Sequence, residues 1–217
     1  RRGTTVTDTT PVNVLGAGGH AKVVINALLA LGVPVMGITD PDPETHGSKI
    51  LGVSVLGDDE LVFEHTTESV VLVNGVGSTD ISSHRKNIYQ RFLDAGYSFR
   101  PVVHPSAVIG RETEISDSVQ VMAGVVIQPG CRIGANTIIN TRASIDHDCV
   151  IGAHTHIAPG AVLGGGITVG EGSHIGAGAT VIQNVVIGSK VLVGAGATVI
   201  SDIPDESRVA GTPAQFI

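Results

Sequence analysis

The segment INTRASIDHDCVIGAHTHIAPG, residues 139–160, gathers the side chains of this chain best able to move protons or hold a metal. It carries His147, His154 and His156, with His174 just beyond, out of 9 histidines in 217 residues. His147 stands between Asp146 and Asp148. An adjacent carboxylate orients an imidazole and favours its charged form, so Asp-His-Asp reads as a tuned general base. A polar turn residue is otherwise simply solvated, and that bland reading competes. His156 and His174 share a spacing that would suit a metal pair if a third ligand stood at matching height. A second chemical stretch is GAGGH, Gly16–His20. A glycine turn entering a helix presents backbone N–H groups and a helix N-terminus to an anion. Gly16, Gly18 and Ala21 also satisfy G-x-G-x-x-G/A, with Asp40 in the region where an acid holds a ribose. Two other readings of this turn remain: a tight strand–helix connection, and a nicotinamide site.

What positions these side chains is a period of six. Every sixth residue from Ile109 to Val199 is Ile, Val or Leu: Ile127, Ile133, Ile139, Ile145, Ile151 and so on without a break. A small residue recurs four positions later, as at Ala143, Cys149, Ala161 and Ser173. A hexapeptide period is the mark of a parallel β-helix. The aliphatic points inward, the small residue fills the corner, and three hexads close one coil. Coils stack at the strand spacing of about 4.8 Å. Cys131 and Cys149 fall one coil apart at the small position and are expected to stack as free thiols. His147 lies two residues past inward Ile145, at a turn, pointing out. His154 and His174 are expected on the surface.

The stretch before the repeat alternates strands and helices. PVNVL and VPVMGITD read as strands, and Val23, Val24, Ala27, Leu28 and Leu31 repeat at helical spacing between them. SVVLVNGVG reads as a third strand, and SSHRKNIYQRFLDAG as a helix capped by Ser82 or Ser83. This predicts a small parallel α/β, Rossmann-like domain, too short for two βαβαβ halves.

Composition removes several classes of function. The net charge of −7 argues against a nucleic-acid partner, which needs a basic footprint. No uninterrupted apolar run reaches membrane-spanning length, so no membrane span is expected. Two cysteines make no disulfide framework. The expected compartment is cytoplasmic.

The motifs GAGGHAKVV, GDDEL, VVHPSAVIG, INTRASIDHDCVIG and the closing RVAGTPA together resemble the NeuD/PglD-type sugar O-/N-acyltransferases. The resemblance implies a nucleotide-sugar-binding domain over residues 11–102, a left-handed β-helix over 103–203 and a C-terminal tail over 204–217. It implies a homotrimer with active sites in the grooves between neighbouring β-helices, and acetyl-CoA as co-substrate with no metal. His147 would be the base and Asp148 its orienting partner, with Asp146 as the alternative. His156 would donate to the thioester carbonyl. Gly165, Ala177 and Ala195 would line the pantetheine arm. Gly18, Gly19, His20, Asp40 and Asn140 would face the nucleotide sugar. Relatives often carry two acids where this chain has Thr39-Asp40, which leaves uracil or guanine open. The implied activity is N-acetylation of a 4-amino-4,6-dideoxy sugar linked to UDP or GDP, for glycan or surface-polysaccharide assembly. Its rivals are O-acetylation of a sialic-acid-like sugar, a zinc lyase of the hexapeptide carbonic anhydrase kind, and a non-catalytic sugar-nucleotide sensor.

Overall fold

The computed structural model describes residues 10–78, 81 and 83–217. The first part is a five-stranded sheet with two helices: β1 (Val12–Leu15), α1 (Gly19–Ala30), β2 (Val35–Thr39), β3 (Lys49–Ile50), β4 (Val53–Gly57), β5 (Val71–Asn74) and α2 (His84–Asp94). The sheet order is β3-β4-β2-β1-β5, parallel except where β3 meets β4. All four residues of β1 are buried, as expected of a parallel strand covered on both faces. Helix α1 buries Ala21, Val24, Ile25, Ala27 and Leu28. Val23 and Leu31, counted in the apolar stripe, are instead exposed. The β3–β4 hairpin was not predicted. Its strands are short, and its turn runs through Leu51 and Gly52, both at positive φ. Ser83 does stand at the N-cap of α2, but its side chain makes no capping bond. Ser82 lies outside the described residues.

The second part is the left-handed β-helix. Its short strands stack into three faces of eight, six and five strands, parallel except for the last strand of the first face. Face 1 carries Gln120, Ile138, His156 and His174 at its outward positions. Face 2 carries Val108, Val126, Ser144 and Val162. Face 3 carries Glu114, Arg132, Val150 and Val186. The inward aliphatics from Val121 to Val199 form one buried column. Cys131 and Cys149 sit in that column as buried free thiols, as expected. The segment 204–217, read as a tail, instead extends face 1: Arg208–Ala210 pairs with Leu192–Val193, and Gln215–Phe216 folds back on it.

Equivalent outward positions meet different fates on the three faces. On face 2, Val108 and Val162 are exposed, as is Val186 on face 3. On face 1, Gln120, Ile138, His156 and His174 are all buried. The N-terminal domain covers this face: Met122 and Val102 join the core cluster of α1 and the sheet. His174 is therefore not a surface residue. Its ring packs edge-on against His156 at 4.8 Å between centroids, under the docked domain.

Candidate active site

Where the docked domain meets face 1, a cleft of about 820 Å³ opens. The carboxyl ends of the parallel strands form one wall, the usual place for a ligand on an open α/β sheet. Gly16, at φ +96°, turns the chain out of β1, and a side chain there would strike Val76. The Asp40 carboxylate braces this turn from the end of β2. Its Oδ2 accepts from Ala17 N (2.5 Å) and its Oδ1 from Asp42 N (2.8 Å). Gly18 and Gly19, at the start of α1, face open space. Their N–H groups and the helix end are thus presented to the cleft.

Of the histidines that line the cleft, burial makes His20 and His156 poor proton acceptors. His20 donates from Nε2 to Gln120 Oε1 (2.7 Å), because the Gln120 amide nitrogen is committed to Asn74 O (2.6 Å). Burial and the Arg85 charge push its pKa down to about 4. His156 donates from Nδ1 to the Ser78 carbonyl (2.6 Å). Its Nε2 then accepts from Asn140 Nδ2 (3.1 Å), since Asn140 Oδ1 takes the Thr141 N–H (2.7 Å). Burial, then the neighbouring His174, pushes its pKa down to about 3. His156 thus has its Nδ1 engaged by Ser78, and its ring stands in the wall of the cleft beside Asn140.

His147 lies elsewhere, on the corner between faces 2 and 3. The turn that carries it places Asp148 at φ +58°, a left-handed conformation that Asp tolerates. There the Asp148 Oδ2 accepts from His147 Nδ1 (2.8 Å), and Asp146 Oδ1 accepts the His147 N–H (2.8 Å). The Asp148 bond, then the Asp146 charge, raises the His147 pKa. With Nδ1 holding the proton, Nε2 carries the free lone pair. It lies over Gly165, where a Cβ would come within 2.6 Å of Nε2. Only glycine leaves the ring its place. Ala177 and Ala195 sit exposed on the corner between faces 1 and 2, one coil apart.

The structure thus gathers Gly18, Gly19, His20, Asp40, Asn140 and His156 into one cleft. It places His147, Asp148 and Gly165 on a different corner of the same prism. His156 and His174 find no third ligand: among the described residues no group of three or more His, Cys, Asp or Glu could hold a metal.

Residues 11–92 match the model of the PglD N-terminal domain, and residues 130–165 that of the bacterial transferase hexapeptide, six repeats. A mutant perosamine N-acetyltransferase from Caulobacter crescentus, solved with CoA and GDP-perosamine, is 40% identical. It matches over 95% of this chain and 96% of its own, with a TM-score of 0.89. The acetyltransferase domain of PglB from Neisseria gonorrhoeae FA1090 is 37% identical over 96% of this chain and 100% of its own, also at 0.89. WeeI from Acinetobacter baumannii AYE is 26% identical over 95% and 99%, at 0.83. No curated protein sequence matches. The chain belongs to the NeuD/PglD-type sugar acyltransferases.

Sequence reasoning missed several walls of this acyltransferase's cleft. Asp59, Val76, His84 and Thr141 all line it. Asp59 follows the unpredicted β4, and His84 opens α2, so neither could be placed beside the Gly turn. Gln120, which fixes His20, did leave a signal. It is a polar residue at an outward strand position, on the same register as Ile138 and His156. A face bearing Gln, Ile, His, His and Leu in register differs from one bearing Val, Ser and Thr.

Proposed function

We propose that this acyltransferase transfers acetyl from acetyl-CoA to the amine of a nucleotide-linked amino sugar. The cleft holds the nucleotide sugar: the diphosphate at Gly18 and Gly19, the acceptor end toward Asn140 and His156. The relative at 40% identity was solved with GDP-perosamine, which favours GDP over UDP here. Acetyl-CoA runs along the exposed ladder of Ala177 and Ala195, with Gly165 on the facing wall.

His147 removes the proton. A sugar ammonium cannot attack; its nitrogen needs a free lone pair. His147 Nε2 takes that proton, and Asp148 steadies the imidazolium through Nδ1. The nitrogen bonds to the thioester carbon and the C–S bond breaks; the proton on Nε2 passes to the departing thiolate, and the second proton shed by the new amide nitrogen leaves to solvent. Both cysteines are buried in the column, so neither is placed to act as an acyl carrier.

The observation that carries this reading is the separation of the two half-sites. His147 projects from the corner between faces 2 and 3, while the cleft lies on face 1. One chain cannot bring them together, so a second copy must supply the base. In a homotrimer with face 2 toward the axis, the base-bearing corner of each chain meets the cleft of its neighbour. The apolar outward residues Val108 and Val162 of face 2 suit that contact. The test is thiol release from acetyl-CoA with GDP- and UDP-linked 4-amino sugars, followed by product analysis. Release with N-acetylated product is expected. No release with any nucleotide-linked amino sugar would defeat the reading.

A further inference from the structure

A second cavity, of about 380 Å³, lies between α2 and the corner joining faces 3 and 1. We propose that it is an anion-binding site for a phosphate-class group, distinct from the nucleotide cleft. Among the described residues that line the two cavities, only Ser78 is shared. Among the described residues its wall holds three cations, Arg85, Lys86 and Lys190, and one acid, Glu171. That excess of positive charge is local, in a chain whose net charge is −7.

Arg85 points most directly to a ligand. It is only 5% exposed. Its Nη1 donates to the carbonyls of Asn74 (2.9 Å) and Val76, and its Nε reaches Asn136 O at 3.4 Å. Among the described residues no carboxylate pairs with it, and its Nη2 is buried with no hydrogen-bond partner among them. A buried guanidinium held only by carbonyls, with one donor idle, is a costly arrangement that an arriving oxyanion relieves. The planar fork suits phosphate oxygens in particular.

The start of α2 makes the same demand from the other side. This 11-residue helix has no side-chain cap and no acid in its first turn. Its first N–H groups and positive end therefore favour an anion. Ser83, Arg85, Lys86 and Asn87 of this turn line the cavity. Lys86 pairs with Glu171 (2.5 Å) and Lys190 with Glu206 (3.2 Å), but all four side chains are solvent-exposed. Exposed pairs are weak, so either lysine can turn to a bound anion. The trimer reading places this corner on the outside of the assembly, away from both half-sites of the reaction.

The probe is inorganic phosphate, titrated into the full chain at constant ionic strength with the nucleotide cleft saturated by GDP. The comparison is with Lys190→Glu, an exposed change outside the reaction machinery. The expected result is saturable binding of one phosphate per chain that survives GDP and weakens about fivefold or more in the variant. Absence of saturable binding would overturn the proposal. So would binding that GDP displaces, or binding indifferent to Lys190→Glu. Acetyl transfer measured on the same samples keeps a failure here separate from a failure of the proposed activity: Lys190→Glu leaves transfer unchanged.

Discussion

The cleft on face 1 and the corner bearing His147 treat the same side chain in opposite ways. In the cleft, His20 and His156 are enclosed, tied by both sequence-distant partners and backbone, and held neutral. On the corner, His147 is exposed, flanked by two carboxylates, and more basic than usual. Burial penalises the charged imidazole, and a nearby carboxylate rewards it. On the proposed function, the neutral rings orient the substrate and the exposed ring with one free nitrogen takes the proton. The contrast also explains why the repeat alone is silent about function: each coil offers three corners and three faces, and what covers each one decides its chemistry.

The contrast breaks most severely at His147. His147→Ala removes the base without touching the inward column, so kcat is expected to fall about 10²–10⁴-fold while acetyl-CoA affinity holds. Steady-state kinetics with a calorimetric titration of acetyl-CoA check this; near-normal turnover would move the base elsewhere. The next effect is at the other half-site. Gly18 faces open space at an ordinary φ, so Gly18→Val fills the cleft without straining the turn. Its KM for the nucleotide sugar is expected to rise about tenfold or more, with that for acetyl-CoA unchanged, as expected for lost binding at one ligand. Equal effects on both would contradict separate half-sites.

A smaller effect concerns pH. Because Asp148 raises the His147 pKa, activity needs a pH above that raised value for the base to be neutral. Asp148→Asn should lower the pKa and shift the acid limb of kcat/KM to lower pH, with a lower plateau. An unmoved limb would mean that Asp148 only positions the turn. The smallest effect is on stability. His20 and His156 have folded pKa values of about 4 and about 3, against an unfolded value of about 6.5. Between those limits the unfolded chain binds more protons, so stability falls as pH drops below about 6.5. His156→Gln is expected to flatten that fall in a series of melting curves from pH 7 to pH 4. An identical slope would show that other groups carry it.

Much of the fold was legible because the hexad repeats one physical demand sixteen times. Ile145 and Ile151 must point inward whatever the coil does, and Cys131 and Cys149 must then stack. His147 was legible for the same reason: its place relative to Ile145 fixed it at a turn. What the repeat could not show was which face lies covered. His174 read as a surface residue because its register matches outward residues elsewhere, and only the docked domain buries it. The surroundings of His156 were hidden in a similar way. Its donor is consumed by the carbonyl of Ser78, 78 positions away in sequence. Asp59 entered the cleft through the segment after the β3–β4 hairpin, which local patterns did not show, and His84 through the start of α2, whose place beside the Gly turn they could not give.

The central claim is that each active site takes its base from one copy and its cleft from another. Mixing two inactive variants tests it directly. His147→Ala chains keep an intact cleft, and Gly18→Val chains keep an intact base. Refolded or co-expressed at equal amounts, they should regain about a quarter of wild-type activity, because one in four neighbouring pairs joins a sound corner to a sound cleft. Mixed assemblies that form but stay as inactive as either parent would show that the whole site belongs to a single chain.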